Sequence, residues 1–208
     1  MVKVKICGIT NLEDALLSID CGADILGFNF FEKSPRYVAP QNAAGIIDKI
    51  PNDILRVGVF VNMETYRIDE FVQLLKLDAV QLHGDESADF VSELKRETDA
   101  KVIKAFRVSS DFMVERVLDF QTETVLLDKF SNEHYGGTGE RFDWKIAHDV
   151  KGLDVEIFLA GGLTPENVAE AVQNVRPYAV DVASGVESSP GKKDPKKLEA
   201  FIKNAKNA

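Results

Sequence analysis

Apolar residues along this chain follow two alternating patterns, one with the spacing of helices and one with the length of strands. Spacings of three and four residues predict amphipathic helices that bury one face. The clearest sets are Leu12, Ala15, Leu16 and Ile19; Ile68, Phe71, Val72 and Leu75; Val168, Ala171, Val172 and Val175; and Leu198, Phe201, Ile202 and Ala205. Start signals support three of them: Thr10 and Glu13 are spaced as a capping box, and Thr164-Pro165-Glu166 and Asp194-Pro195 place a capping side chain before a proline at the first helical position.

Short apolar runs rich in β-branched residues lie between the helices, and their length suits buried parallel strands. The first is Val2 to Ile6, and the others are Ile25 to Phe30, Leu55 to Val61, Ala79 to Leu82, Val102 to Phe106, Thr124 to Leu127, Glu156 to Ala160 and Ala179 to Ala183. Eight strands that alternate with helices predict a single α/β domain over residues 1–208, a (β/α)8 TIM barrel with parallel strands. A doubly wound open sheet is the main alternative, although that fold rarely contains so many regular repeats.

Composition and charge narrow the class of protein. The chain has 45% hydrophobic and 28% charged residues, as in ordinary globular proteins, and no apolar run approaches the ~20 residues that cross a bilayer. Its first residues lack the apolar core of a secretory signal, so we expect a cytoplasmic protein that does not enter a membrane. A formal net charge of -9 argues against binding to nucleic acid. Cys7 and Cys21 are too few for a disulfide framework, and no residue spacing predicts a metal site.

Polar residues interrupt or follow several predicted strands near their carboxyl ends. They are Cys7, Asn29, His83, Arg107, Asp128 and Asp181. Because side chains alternate between the two faces of a strand, Lys5 shares a face with Cys7, and Gln81 shares one with His83. An unpaired polar group that is buried costs a few kcal/mol, which favours a functional reason for these positions. Closing a barrel would bring them into one ring, at the end where barrels bind ligands.

Two glycine-containing turns follow the seventh and eighth predicted strands. They are Ala160-Gly161-Gly162-Leu163 and Ala183-Ser184-Gly185-Val186. Glycine lets backbone N–H groups approach an anion closely, and TIM barrels usually bind phosphate in these two loops. The long polar loop from Ser131 to Gly139 is typical of a lid or binding segment. In the second loop, the guanidinium of Arg36 could clamp a carboxylate with two parallel hydrogen bonds.

Several short motifs occur in a fixed order along nearly the whole chain. They are Lys5-Ile6-Cys7-Gly8-Ile9-Thr10, Lys33-Ser34-Pro35-Arg36-Tyr37, Val57-Gly58-Val59-Phe60, Val80-Gln81-Leu82-His83-Gly84, Leu126-Leu127-Asp128, Gly136-Gly137-Thr138-Gly139, Ala160-Gly161-Gly162-Leu163 and Val182-Ala183-Ser184-Gly185-Val186-Glu187. Together they resemble the phosphoribosylanthranilate isomerase family of tryptophan biosynthesis. The resemblance implies a cofactor-free barrel enzyme that converts N-(5-phosphoribosyl)anthranilate to 1-(2-carboxyphenylamino)-1-deoxyribulose 5-phosphate by an Amadori rearrangement.

The same resemblance assigns roles to residues of this chain. It makes Asp128 the general acid that protonates the furanose ring oxygen, and Cys7 the general base that removes the C2 proton. It places the carboxylate of the substrate on Arg36. The phosphate then falls on the backbone around Gly161, Gly162, Ser184 and Gly185. His83, Arg107 and Asp181 are further candidates for the substrate pocket.

These roles place demands on the surroundings of the two proton-transfer groups. A cysteine with an ordinary pKa of ~8.5 needs only modest help to act as a base near neutral pH. An aspartic acid is normally ionised at pH 7, so acting as an acid requires burial or a nearby negative charge, which the substrate carboxylate could supply. Two residues depart from the family pattern: Lys129 follows Asp128 where we expect a small or hydroxylated residue, and Ala183 replaces a common serine.

Each candidate also has a structural interpretation. Outside its motif, Cys7 is more often an inert buried thiol, because free cysteine packs like a small hydrophobe. Asp128 could cap a loop, Arg36 could pair with a surface acid, and His83 could be a hydrogen-bonded structural residue. Residues outside the motifs are assigned to packing or to the surface: Cys21, His134, Trp144, His148 and the run Gly191-Lys192-Lys193, which is expected to form a solvated turn that could also steer an anionic substrate.

Two other functions stay open on the sequence alone. One is another phosphosugar barrel, such as an epimerase or an indole-forming synthase, although an epimerase would show metal-ligating histidines and acids at its strand ends. The other is a binder of phosphorylated metabolites without catalysis, against which the presence of Cys7 and Asp128 speaks. In each case the expected partner is a small phosphorylated molecule, and the chain could act as a monomer or as a homodimer.

Overall fold

Eight short apolar segments form parallel strands that hydrogen-bond in chain order, and the last pairs with the first to close a barrel. The strands are β1 (Lys3–Cys7), β2 (Ile25–Asn29), β3 (Leu55–Phe60), β4 (Ala79–Leu82), β5 (Lys101–Val108), β6 (Thr124–Lys129), β7 (Glu156–Leu159) and β8 (Ala179–Val182). These observations come from a computed structural model that describes residues 1–109, 111–129 and 144–208. The predicted (β/α)8 barrel is confirmed, and the open doubly wound sheet is wrong.

A helix follows each strand and packs on the outside of the barrel. The helices are α1 (Leu12–Asp20), α2 (Pro40–Ile47), α3 (Thr65–Leu75), α4 (Ala88–Glu97), α5 (Arg116–Asp119), α6 (Trp144–Lys151), α7 (Val168–Val175) and α8 (Pro195–Lys206). Between β8 and α8 the chain adds one 3-10 turn at Ser184–Val186 and an antiparallel hairpin. The hairpin consists of β9 (Glu187–Ser189) and β10 (Lys192–Lys193).

Two of the three predicted helix starts differ from the structure. The capping box of Thr10 and Glu13 is wrong, because Asn11 caps α1 by accepting a hydrogen bond from the Asp14 N–H at 2.9 Å. The Thr10 hydroxyl instead donates to the carbonyl of Gly191 at 2.6 Å. Residues 164–167 form a turn ahead of α7, whereas Asp194 caps α8 as predicted, accepting from the N–H groups of Lys196 and Lys197.

Alternation along the strands divides the core into two layers. One face of each strand packs under the helices, and the other fills the barrel interior. The interior cluster is Ile25, Val57, Ala79, Ile103, Ala105, Leu126, Phe158, Ala160 and Ala179. Two residues beyond Ala105 and Leu126, the same inward face carries Arg107 and Asp128 to the end of the barrel. The alternation therefore aims polar side chains at one opening, which we call the mouth. The assignment of residues 1–208 to one domain stays a prediction.

Candidate active site

The mouth of the barrel lies where the carboxyl ends of the eight strands meet, because all of the strands are parallel. Cys7 is the last residue of β1, His83 follows β4 directly, and Asp128 lies near the end of β6. Arg107 of β5 is the registered neighbour of Asp128. The structure therefore brings these four predicted site residues to one end of the molecule.

Two lysines lie near Cys7, which is surrounded by protein but keeps some exposure at the mouth. The ammonium of Lys5 is fully buried, and it donates to Asp181 Oδ1 at 2.8 Å. Lys193 Nζ donates to the backbone carbonyl of Cys7 at 2.6 Å. Burial raises the pKa of Cys7, and Lys5 and Lys193 counteract only part of that rise.

Asp181 lies deeper in the barrel than the other predicted pocket residues. It is the registered neighbour of Lys5 across β1 and β8, and its carboxylate is committed to that lysine. For Lys5, burial alone favours the neutral amine, but Asp181 and Cys7 outweigh it and raise the pKa of the ammonium. This contact makes Asp181 a partner of Lys5 in the folded chain.

A short hydrogen-bonded chain reaches Asp128. The amide nitrogen of Gln81 lies 2.9 Å from His83 Nδ1, and His83 Nε2 lies 3.3 Å from Asp128 Oδ2. Because the amide N–H donates to Nδ1, the ring proton of a neutral His83 sits on Nε2 and faces the carboxylate. Arg107 Nη2 lies 3.5 Å from the carbonyl of His83. His83 therefore lies between Gln81 and Asp128. The sequence already indicated the contact with Gln81, because residues two positions apart share one face of a strand.

Arg36 pairs with a buried acid, not with a surface acid. Its Nε donates to Glu187 Oε1 at 2.9 Å, and its Nη2 donates to Glu187 Oε2 at 2.6 Å. Lys193 Nζ donates to the same Glu187 at 2.9 Å. Burial opposes ionisation of Glu187, yet Arg36 and Lys193 outweigh it and lower the pKa of the carboxyl. Arg36 Nη1 takes no part in these bonds, so it faces away from Glu187 as a donor for another anion.

The expected solvated turn at Gly191-Lys192-Lys193 is wrong for its last residue. Lys193 is 1% exposed, and burial lowers the pKa of its amine although Glu187 opposes this. The turn belongs to the hairpin, which folds back over the end of β1. Glu187 and Lys193 were missed as members of the site, although Glu187 closes one of the motifs quoted above.

The two glycine turns lie side by side at the mouth. Gly161 and Gly162 have φ of 81° and 71°, a conformation that favours glycine. Apart from Gly162 and its two chain neighbours, no described residue has an atom within 4 Å of the place where a Cβ of Gly162 would stand. Asn167 fixes this turn by donating to the carbonyl of Gly162 at 3.0 Å. A Cβ on Gly185 would collide with the carbonyl of Leu163, so the second turn packs directly on the first.

Several predicted features belong to residues 130–143 or to the side chains beside them. The loop from Ser131 to Gly139, with its glycine motif and His134, lies outside the described residues, as do the side chains of Lys129 and Trp144. His148 is exposed on α6, as expected. Among the described residues no cluster of histidine, cysteine or acidic side chains is arranged to hold a metal ion, and no helix is long and apolar enough to cross a membrane.

A surface cavity of about 510 Å³ lies at the opposite end of the barrel from the mouth. Its lining residues are Met1, Val2, Val172, Gln173, Arg176, Pro177, Tyr178 and Ala208. None of the predicted site residues is among them.

Comparison with known proteins gives one consistent result. The family model described as N-(5'-phosphoribosyl)anthranilate (PRA) isomerase matches residues 4–204. The chain belongs to the PRA isomerase family. A curated PRA isomerase of Citrifermentans bemidjiense is 52% identical over 206 residues, which cover 99% of this chain and 98% of that protein. The similarity to PRA isomerases therefore extends over nearly the whole chain.

Solved structures of PRA isomerases superpose closely on this one. The crystal structure of the Thermotoga maritima enzyme has 47% identity and a TM-score of 0.93, with both chains covered completely. A second PRA isomerase structure, at 45% identity and a TM-score of 0.89 over the full length of both chains, is a complex with reduced 1-(o-carboxyphenylamino)-1-deoxyribulose 5-phosphate. This chain is therefore similar in backbone and in sequence to a family member that holds this reduced compound.

Proposed function

We propose that this chain is a cytoplasmic isomerase that converts N-(5-phosphoribosyl)anthranilate to 1-(2-carboxyphenylamino)-1-deoxyribulose 5-phosphate in tryptophan biosynthesis. The observation that carries the proposal is the position of Cys7 and Asp128 at the same mouth, on strands separated around the barrel. A thiol and a carboxylic acid on different strands can reach a bound sugar from two sides, which this rearrangement requires. Membership of the PRA isomerase family supports the same reaction.

The first step proposed is opening of the furanose ring. Asp128 gives its proton to the ring oxygen while the C1–O bond breaks, and the anthranilate nitrogen supplies the electron pair that forms a protonated Schiff base. His83 Nε2, 3.3 Å from Asp128 Oδ2, orients the carboxyl group for this transfer. Arg107 lies next to Asp128 in the strand register and donates to the carbonyl of His83, so it helps to hold the histidine.

The second step proposed is removal of the C2 proton by the thiolate of Cys7. The electrons of the C2–H bond form the C1–C2 double bond, and the electron pair of the Schiff base returns to nitrogen, giving an enolamine. A proton then adds to C1 and the C2 hydroxyl becomes the ketone of the product. No atom is gained or lost overall, so the step needs no oxidant, and general acid–base catalysis by positioned groups is sufficient.

Two anionic groups fix the substrate in this proposal. Arg36, held by Glu187 through Nε and Nη2, presents Nη1 to the anthranilate carboxylate. The backbone around Gly161, Gly162, Ser184 and Gly185 receives the phosphate, because the open side of Gly162 leaves room for an anion next to the adjoining turn. Asp181 is assigned to Lys5 and not to direct contact with the substrate.

The assay generates phosphoribosylanthranilate in place and follows the loss of its fluorescence. We expect the purified chain to accelerate this loss. A protein that binds the product in isothermal titration but gives no acceleration would overturn the assignment in favour of a metabolite binder.

Variants of the two proton-transfer groups test their roles separately. Cys7→Ser and Asp128→Asn should each lower kcat by about 10²–10⁴-fold while product affinity changes little, since each removes one proton-transfer group. Cys21→Ser is the matched control for the first variant, because it removes the other free thiol, which lies next to the last turn of α1. Full turnover in either active-site variant would remove that residue from the mechanism.

A further inference from the structure

A fully buried lysine stands two residues before the proposed base on the inward face of β1. Lys5 is 0% exposed, and its ammonium forms an ion pair with Asp181, whose side chain is 9% exposed. Taking these two charges out of water costs several kcal/mol before their mutual attraction is counted. Apolar residues fill most of the surrounding barrel interior. The proposed reaction steps do not use the Lys5–Asp181 pair, so its presence there needs another explanation.

The backbone of β2 leaves room for Lys5 to meet Cys7. Gly27 is the registered neighbour of Cys7, and a Cβ placed on it would lie 2.9 Å from the Cys7 sulfur and 3.1 Å from Lys5 Nζ. The sulfur and the ammonium therefore converge on one space that any larger residue at position 27 would enter. Across it, the positive charge of Lys5 lowers the pKa of Cys7 and the thiolate in turn raises the pKa of Lys5.

We propose that Lys5, anchored by Asp181, is a positioning residue that holds the sulfur of Cys7 and stabilises its thiolate form. This inference rests on the proposed function, in which the thiolate is the base. Lys5 stays protonated throughout, so the C2 proton of the substrate goes to sulfur and the lysine supplies only a charge and a hydrogen bond. Asp181 fixes Lys5 Nζ at 2.8 Å, so the ammonium is already in place when the thiolate forms.

The charged groups around the sulfur act with different signs. From β1, Lys5 lowers the pKa of Cys7, and from the hairpin Lys193 lowers it, with Glu187 bound behind Lys193. From β8, Asp181 raises it, and β2 contributes only the uncharged Gly27. Arg36 contacts Glu187, so its charge is already paired. Removing Lys5 and removing Asp181 should therefore move the titration of the thiol in opposite directions.

The experiment measures the rate of alkylation of Cys7 by iodoacetamide as a function of pH, in a Cys21→Ser background with the modified site verified by mass spectrometry. Lys5→Met should raise the midpoint pH by about one unit or more, because a nearby cation is lost. Asp181→Asn should lower it. In the fluorescence assay, Lys5→Met should lower kcat at pH 7 at least about tenfold, with KM changed less, since a one-unit shift reduces the thiolate fraction about tenfold.

Lys104→Met is the matched control. Lys104 is 3% exposed on β5 and forms a 2.7 Å ion pair with Glu86, so its removal also breaks a buried pair, but away from Cys7. The pH midpoint for alkylation of Cys7 in the Lys104→Met variant should match that of the Cys21→Ser background protein. An unchanged midpoint in Lys5→Met, or equal shifts in Lys5→Met and Lys104→Met, would overturn the inference.

Two further cases are a Lys5→Met variant that does not fold and a wild-type protein that is inactive. If Lys5→Met does not fold, the downward shift in Asp181→Asn is the deciding measurement, and no shift or an upward shift there would contradict the inference. Alkylation requires no turnover, so an inactive wild-type protein would reject the proposed function while the midpoints still judge the role of Lys5.

Discussion

At the scale of single residues, the charged side chains around the proposed base and the carboxylate anchor are already bound to partners within the chain. Arg36 holds Glu187, Lys5 holds Asp181, and Lys193 holds both Glu187 and the carbonyl of Cys7. Such contacts keep the site in one geometry before substrate arrives, which reduces the reorganisation that the reaction requires. Cys7 differs from these charged residues, because burial raises the pKa of its thiol and so disfavours the charged thiolate.

The first prediction at this scale concerns pH. Burial raises the pKa of Cys7, and the base is the deprotonated form, so kcat/KM should rise with pH from neutral into the alkaline range. Initial rates between pH 6 and 9.5, corrected for stability of the substrate, check this. A profile that is flat across this range would mean that the titrating group is not Cys7.

The second prediction for single residues concerns the imidazole of His83. His83→Asn removes the Nε2–H that faces Asp128, and we expect kcat to fall about 10-fold or more with KM changed less, since the acid remains but is oriented less well. Steady-state kinetics measure both constants. A loss confined to KM would indicate that His83 contacts the substrate and does not orient Asp128.

At the scale of elements, the hairpin after β8 contacts two parts of the proposed substrate site, Arg36 in the second loop and Cys7 at the end of β1. Glu187 of β9 fixes Arg36 from the second loop, and Lys193 of β10 fixes Cys7 at the end of β1. The N–H of Lys193 also donates to Asp14 of α1 at 2.9 Å. The hairpin therefore contacts both the proposed carboxylate anchor, Arg36, and the proposed base, Cys7.

Glu187→Gln tests the hairpin. It leaves Lys193 and Arg36 without a buried counter-charge, so we expect KM to rise about tenfold and the free energy of unfolding to fall by about 3 kcal/mol. Kinetics and urea denaturation give the two values. Glu13→Gln is the control, because Glu13 pairs with the neighbouring Lys192 but its side chain is 82% exposed. Similar effects in both variants would show that the buried contact has no special role.

The same elements show what the sequence could and could not predict. Local patterns were sufficient for the strands and for the cap of α8, because a strand or a cap depends on residues within a few positions. The alternation of side chains along a strand also predicted that Lys5 and Cys7 lie on the same face of β1. Its partner Asp181 lies 176 residues away, and Glu187 lies 151 residues from Arg36, so neither pair leaves a local signal. The capping box failed at α1 because Asn11 offered a competing cap and Gly191 took the Thr10 hydroxyl.

At the scale of the whole molecule, barrel closure turns dispersed strand ends into one site. β1 pairs with β8, and this single pairing unites Lys5 with Asp181 and brings the second glycine turn beside the end of β1. Function and stability therefore share contacts, since ion pairs that position the site also connect the first and last units of the barrel.

This sharing predicts how stability depends on acid. Burial alone would raise the pKa values of Asp14 and Glu187, but hydrogen bonds with Lys193 and other partners lower both below their ordinary values of 3.8 and 4.5. Their stabilisation is present above those ordinary values and is lost as pH falls through the lower folded values. Urea midpoints should be steady from pH 7 to about 5 and fall below about pH 4, and Asp14→Asn should weaken this decline. An equally steep decline in the variant would contradict the assignment.

The most direct test of the central claim is a crystal structure of this protein with 1-(2-carboxyphenylamino)-1-deoxyribulose 5-phosphate bound. We expect the carboxylate on Arg36, the phosphate on the turns at Gly162 and Gly185, and the sugar carbons between the sulfur of Cys7 and the carboxyl group of Asp128. A product bound at the mouth with Cys7 and Asp128 on the same side of the sugar, or with either group out of contact with it, would rule out the proposed acid–base mechanism.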